Sequence, residues 1–333
     1  MSKLLSIVIP VYNMSAYLAQ TLDSVACCAD RGDLLEAIVV NDGSTDDSLR
    51  IALEYRDRYP GLFTVIDKPN GGHGSAWNAG VEAATGLYTA FLDSDDWMVG
   101  LDAYLEASAS FSSDLVFNDC VIFDESTGRS TREKIKGIAP GRHSLEDEPL
   151  PLDRFDPRMC NFHYCIYRTR ILKDLHPLFG EHTSYDDMIL FVAPIVEGST
   201  YEYSSLPLYC YRVSREGQSM DAGVISRKID QQIAQRKYLI SFVHDHAPLS
   251  QSKTAQLAIV IRSVCVTCYN FLMHLEPERR RNYLDMWTEY IDESVPEARD
   301  IFEKRSYERL PWALNVLALK VHHLFRRLSR AMR

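Results

Sequence analysis

Two hydrophobic periods alternate along the first third of the chain, one suited to buried strands and one to amphipathic helices. Leu4 to Pro10 is a continuous, β-branched apolar run of the kind buried on both faces of a parallel sheet, and Pro10 closes it. Ser15 to about Cys28 then places Tyr17, Leu18, Leu22 and Val25 on one helical face, with Ser15 positioned as N-cap. Leu34 to Asn41 predicts a second strand, residues 46–58 a second helix, Leu62 to Asp67 a third strand, Gly74 to Ala84 a third helix, and Leu87 to Asp93 a fourth strand. This alternation predicts an α/β, Rossmann-like, mostly parallel sheet with helices on both faces.

Beyond the fourth strand the pattern loosens. Asp114 to Phe123 predicts a strand, and residues 124–159, rich in Gly, Pro and charge, predict an irregular excursion. Phe162 to Arg168 and Tyr201 to Val213 are strand-like, while Asp187 to Val196 reads as a buried helix. After about Val224 the chain is helical, with breaks expected near Pro248, Pro277, Pro296 and Pro311. Two domains are therefore expected: residues 1–220, an α/β domain, and residues 221–333, a helical one.

Composition narrows the class. An apolar content of 46% supports a real core, and no stretch reaches the roughly eighteen uninterrupted apolar residues of a membrane span. The N-terminal apolar run is too short for a signal peptide, which predicts a cytoplasmic protein. Eight cysteines lie in apolar surroundings without a framework spacing, so reduced buried thiols are expected; Cys265 and Cys268 form a single C-x-x-C with no second pair, a weak zinc signal. Charge is uneven, with 18 basic and 33 acidic residues in 1–220 against 18 and 13 in 221–333. An acidic body argues against nucleic acid as a partner.

The chemistry concentrates at strand ends, where ligands bind in open α/β sheets. Pro10 to Asn13 follows the first strand, Asp42-Gly43-Ser44 the second, Asn70 to Gly74 the third, and Asp93-Ser94-Asp95-Asp96 the fourth. Three carboxylates within four positions repel one another unless a cation lies between them, and a hard divalent ion with phosphate oxygens resolves that repulsion. An isolated D-x-D is more often a solvated acidic turn; four consecutive strand ends with site-type residues favour a shared pocket.

Six segments in order, Ile7–Asn13, Ile38–Asp46, Asn70–Gly80, Phe91–Trp97, Tyr185–Met188 and Leu208–Arg212, resemble the motifs of the inverting nucleotide-sugar glycosyltransferases of family 2, which have a GT-A fold. The resemblance covers about residues 4–215 and leaves the helical remainder unmatched. It implies that Pro10, Tyr12, Asn13, Asp42, Asn70, Gly72, His73, Asn78, Asp93, Ser94 and Arg212 bind the nucleotide sugar. Asp95, with Asp93 and Asp96, would hold Mn²⁺ or Mg²⁺ on the diphosphate. Asp187 would be the general base, with Asp186 beside it, taking the proton of the acceptor hydroxyl during a single displacement. Asp42 would accept a hydrogen bond from a uracil imide, implying a uridine or thymidine donor.

Each assignment has a plainer alternative. Asp42 also fits an Asx turn with Gly43, Asp187 an acid in the first turn of a helix near Ser184, and Arg212, which with Ser219 as a further donor would meet the diphosphate, a surface arginine paired with Glu216. Relatives usually carry Ala-Arg-Asn where this chain has Ala76-Trp77-Asn78, so an expected arginine is missing. Trp77 fits either an acceptor-stacking ring or core, and His73 either a phosphate or acceptor contact or a turn residue without a chemical role.

Trp312 to Arg333 sets Leu314, Leu317, Val321, Leu324, Leu328 and Met332 on one face with five basic residues mostly elsewhere. This amphipathic basic helix suits packing on the protein or peripheral contact with an anionic membrane, the latter fitting a lipid-linked acceptor. The expected function is metal-dependent, inverting transfer of a sugar from a UDP-sugar to a saccharide hydroxyl, as in cell-surface polysaccharide or glycoconjugate synthesis. Two rivals remain: a sugar-nucleotide-binding scaffold without turnover, and a nucleotidyltransferase, against which Val11 to Ser15 lacks the Gly-rich basic loop of that class.

Overall fold

The computed structural model describes residues 3–139, 141–151, 162–183, 186–215, 222–273 and 275–294. Leu5–Val11 (β1), Leu35–Asp42 (β2), Phe63–Lys68 (β3) and Tyr88–Phe91 (β4) are the four strands of the alternating region. They pair in parallel in the order β3-β2-β1-β4. All seven residues of β1 are buried, as an inner strand of a parallel sheet requires. Pro10 does not end the strand. It lies beyond the last β1–β4 pair, Val8 with Phe91, where a missing N–H is tolerated.

Leu18–Ala26 (α1), Ser48–Arg58 (α2) and His73–Ala83 (α3) connect these strands. A β-carbon at Gly80 would collide with the Val8 side chain, so the glycine sets the close approach of α3 to β1. Ser15 does not cap α1. The helix begins at Leu18 without a side-chain cap, and the Ser15 N–H instead donates to Asp46 Oδ2 at 3.0 Å.

The sheet then becomes mixed. Trp97–Met98 (β5), Leu101–Ser108 (α4), Leu115–Asp124 (β6), Arg129–Glu133 (β7), Gly141–Ser144 (β8), Cys165–Arg168 (β9), Thr169–Asp174 (α5), Ile189–Glu197 (α6) and Thr200–Val213 (β10) extend it. Beyond β4 the order is β9-β6-β10-β5, with β7 beside β6 and β8 beside β10. β9 runs antiparallel to β4 and β6, while β10 is parallel to β6. The excursion expected over 124–159 therefore contains two strands, and its residues 140 and 152–159 lie outside the described set.

Four helices follow: Ala222–Arg227 (α7), Ile229–Asp245 (α8), Gln251–Leu272 (α9) and Pro277–Ser294 (α10). The chain forms two compact units, residues 1–219 with 234–263, and residues 220–233 with 264–333. In the first, Tyr238 of α8 donates to the Leu178 carbonyl at 2.9 Å and Lys253 of α9 to the Val196 carbonyl of α6 at 2.9 Å. In the second, Trp287 is fully buried and Tyr283 donates to Asp230 at 2.6 Å. Among the described residues no helix is long and apolar enough to cross a membrane. The basic helix expected over 312–333, and the breaks at Pro296 and Pro311, lie outside the described residues.

Candidate active site

A run of polar contacts stitches five loops together at the carboxyl edge of the sheet. The loops after β1 and β2 are joined where the Thr45 N–H donates to Asn13 Oδ1 at 2.7 Å and the Asn13 N–H to Ser44 Oγ at 3.0 Å, with Asn13 held at φ +54°. Pro10 is buried just before this junction, whereas Tyr12 is 50% exposed.

The loops after β2 and β3 are joined through Asp42. Its carboxylate accepts from the N–H groups of Gly71 and Gly72 at 2.9 and 2.8 Å and pairs with Lys68 at 2.7 Å. Asn70 donates to the Asp42 carbonyl at 2.9 Å. Asp42 is 3% exposed and holds the glycine loop, a structural duty beside the acceptor role expected of it. Gly72 has φ +88°, and a β-carbon there would lie 2.9 Å from the His182 Cα, so the loop packs where only glycine fits.

His73 opens α3 and joins the third loop to the fourth, its Nε2 lying 3.3 Å from Asp93 Oδ1. Burial alone would raise the Asp93 carboxyl, but the hydrogen bond and charge of His73, with the charge of Arg215, hold it below the usual carboxylate range. Trp77, one turn further along α3, is fully buried, with ring centroids 4.7 Å from Phe91 and 5.0 Å from both Phe162 and Phe179. It is core, not an acceptor platform. Asn78 is likewise occupied: it donates to the Phe179 carbonyl at 2.7 Å and accepts from the Leu178 and Phe179 N–H groups at 3.1 and 3.2 Å. That grip on the 178–179 segment replaces the nucleotide contact expected of it.

The acidic turn is divided among three environments. Asp93 faces His73. Asp95 Oδ2 accepts from Arg215 Nε at 2.9 Å and pairs with Nη2 2.8 Å away; burial and the nearby Asp93 charge nevertheless push its carboxyl up. Asp96 is 1% exposed and accepts from the Tyr209 hydroxyl at 2.6 Å and the Arg212 N–H at 2.7 Å. Burial, then Asp95 and Asp93, drive it well above the ordinary value. Ser94 is buried, and its carbonyl, with that of Asp96, accepts from Thr21 of α1 at 3.0 and 2.7 Å.

Arg212 also departs from the role expected of it. Its guanidinium donates to the Asp95 carbonyl at 2.8 Å and Gln20 at 2.7 Å, meets Glu125 at 3.3 Å, and lies 5.0 Å from the ring centroids of both Tyr17 and Trp97. At 6% exposure it is part of the wall, not a cation facing a diphosphate. The arginine on the acidic side chains is Arg215, three residues on.

Among the described residues, Asp93, Asp96 and His163 place one ligand atom each within 4.8 Å of one another. His163 stacks on Tyr211 at 4.3 Å, and burial holds its pKa down to about 4, so the imidazole is neutral near pH 7. Two carboxylates with a single neutral imidazole suit Mn²⁺ better than Mg²⁺, and a cation would offset the Asp95 and Asp93 charges that add to burial in driving Asp96 upward. The residues present thus fit the expected metal, with His163 in place of Asp95 in this arrangement. No sequence motif marked His163 or Arg215; only Tyr209, within Leu208–Arg212, carried a signal.

Asp187 lies in a turn of 3₁₀ helix, Asp186–Met188, before α6. It is half-buried; desolvation pushes its carboxyl up, while Arg236, His73 and Asp93 act on it electrostatically. The backbone of Asp186 belongs to the same turn, and its side chain lies outside the described set, as do Ser184, Tyr185, Glu216 and Ser219.

A model of glycosyl transferase family 2 matches residues 6–175. EpsH of Bacillus subtilis (strain 168) is 31% identical over 218 residues, covering 62% of this chain and 60% of EpsH. The poly(ribitol-phosphate) beta-N-acetylglucosaminyltransferase TarS of Staphylococcus aureus is 27% identical over 232 residues, 66% of this chain but 37% of TarS. The crystal structure of TarS 1-349 in complex with UDP-GlcNAc aligns with TM-score 0.62 at 19% identity, over 89% of this chain and 82% of that one. The mannosyltransferase PcManGT from Pyrobaculum calidifontis, in complex with GDP-Man and Mn²⁺, aligns with TM-score 0.52 at 13% identity, over 95% and 83%. At these identities the structural likeness establishes the GT-A fold.

Proposed function

The chain belongs to glycosyl transferase family 2, and on that premise we propose that it transfers a sugar from a UDP-sugar to a saccharide hydroxyl with inversion. The observation that carries the reading is the run of contacts joining the loops after β1, β2, β3, β4 and β10 at the Asp93–Asp96 turn. Transfer is assigned to residues 1–220 and acceptor choice to the region that follows.

Asp187 takes the proton of the attacking hydroxyl, and its raised pKa makes the carboxylate a better acceptor than a solvated one. Asp93 and Asp96, with His163, would hold a divalent cation, which when bound offsets charge developing on the departing nucleoside diphosphate. The uridine donor is supported by the likeness to TarS, whose structure holds UDP-GlcNAc. PcManGT, crystallised with GDP-Man, has the same fold, so the fold alone does not choose the base.

The test is nucleoside diphosphate release from a panel of UDP-sugars and GDP-mannose with Mn²⁺, intact protein against Asp187→Asn. UDP-sugar-dependent release that disappears in the variant, with UDP–Mn²⁺ binding retained, is expected. Release from GDP-mannose alone would overturn the donor, and binding without release from any donor would favour a scaffold. The acceptor is proposed to be carried on a membrane lipid, which the basic 312–333 segment supports; sedimentation with anionic against neutral vesicles checks that contact.

A further inference from the structure

Asp95 and Arg215 make an ion pair inside the candidate site that the proposed reaction has not used. Both partners are largely buried, with side chains 15% and 17% exposed. Arg215 directs Nε and Nη2 onto the same carboxylate oxygen, Oδ2, at 2.9 and 2.8 Å, and lies 5.2 Å from the Tyr17 ring centroid. On the same ring Arg212 is pinned by the Asp95 carbonyl, Gln20 and Glu125. Two arginines three residues apart therefore do different work. One builds the wall behind the acidic turn, and the other neutralises its middle carboxylate.

An oxygen that already accepts the Arg215 Nε–H and has Nη2 2.8 Å away cannot also meet a divalent cation without placing two positive centres side by side. A planar guanidinium leaving that oxygen needs another anion of matching geometry, and the two-oxygen edge of a phosphate group supplies it. We propose that Arg215 is a built-in counter-ion for Asp95 that exchanges partners: the cation held by Asp93, Asp96 and His163 would add the Asp95 carboxylate to that set while Arg215 moves onto the nucleotide's diphosphate. Binding of cation and nucleotide is then coupled, because neither displacement is favourable alone. The inference rests on the donor being a nucleoside diphosphate sugar, and it assigns to Arg215 the diphosphate contact that Arg212 cannot make.

The test measures Mn²⁺ binding alone by loss of the free-ion electron paramagnetic resonance signal, and UDP binding by calorimetry at zero and saturating Mn²⁺, in the intact protein, Arg215→Gln and Arg215→Lys. In the intact protein Mn²⁺ is expected to strengthen UDP binding at least tenfold. In Arg215→Gln, Mn²⁺ alone should bind about fivefold or more tightly than in the intact protein, because its competitor is gone. UDP at saturating Mn²⁺ should bind at least tenfold more weakly. Arg215→Lys, which keeps the charge without the fork, should leave Mn²⁺ binding alone within twofold and weaken UDP by an intermediate amount, a pattern that misfolding does not produce. Mn²⁺ and UDP binding that weaken together, or do not change, in Arg215→Gln would overturn the exchange. Absence of UDP binding by the intact protein with Mn²⁺ overturns the functional reading itself, a result distinct from either.

Discussion

The assignment of Arg212 to the wall makes a measurable demand on stability. In Arg212→Ala, the carbonyl of the half-buried Asp95 and the side-chain oxygen of the exposed Gln20, at 2.8 and 2.7 Å from the guanidinium, each lose a charged donor, the first at greater cost because water reaches the second. Hydrogen bonds to charged groups contribute about 1.5–3 kcal/mol each. The contact with the partly exposed Glu125 adds little after solvent screening. The rings of Tyr17, Trp97 and Phe123, at 5.0, 5.0 and 5.7 Å, add about 1 kcal/mol and lose packing besides. Since such terms do not add fully, the expected loss is about 4 kcal/mol. With a urea slope of about 3 kcal/mol per molar, the unfolding midpoint should fall by more than about 1 M. Arg212→Lys should recover only a small part, because the fork that reaches Asp95 and Gln20 is gone. Urea unfolding followed by circular dichroism, with UDP affinity measured where each variant is folded, checks this. A midpoint that moves by less than about 0.3 M while UDP affinity drops more than tenfold would return Arg212 to the ligand side and refute the argument.

Three further outcomes follow from the geometry. Asp187→Asn should lower kcat by about 10²–10⁴-fold with UDP–Mn²⁺ affinity within twofold; in the intact enzyme kcat should fall as pH drops through a pKa above the usual carboxylate range, because burial favours the protonated, inactive base, and a flat profile from pH 4 to 8 would remove Asp187 from that role. Trp77→Ala should cost about 3–5 kcal/mol in urea unfolding, as expected of a fully buried ring among Phe91, Phe162 and Phe179; an unchanged midpoint with a raised acceptor KM would instead mark a sugar platform. Gly72→Ala should destabilise by about 1–3 kcal/mol and weaken UDP binding, since its φ is +88° and the His182 backbone is 2.9 Å from the new methyl, and thermal unfolding with calorimetry reads both effects.

Much of the α/β framework was legible because its signals are local. β1 to β4 and α1 to α3 announce themselves in runs of a few residues whose period is satisfied by burial on one or two faces. The acidic turn was equally legible, since three carboxylates in four positions need no fold to be conspicuous. β7 was not: Arg129–Glu133 is polar throughout and becomes a strand by pairing with β6, a contact its own pattern does not encode. β5, two residues long, depends in the same way on β10.

Within the site, the sequence by itself determined which loops carry the chemistry, that acids dominate them, and the family to which their motifs point. Only the tertiary structure decided the duty of each charged group. Arg212 and Arg215 carry the same charge three positions apart, and packing against Gln20, Glu125 and the rings of Tyr17 and Trp97 buries one while Asp95, 120 positions away, takes the other. His163 reaches the acidic turn from a segment with no motif, and Asp42 is closed off by two glycine N–H groups from the next loop. The physical reason is common to all three: hydrophobic period and turn chemistry act over a few neighbouring residues, whereas burial and pairing of charge depend on groups that meet only after the sheet has formed.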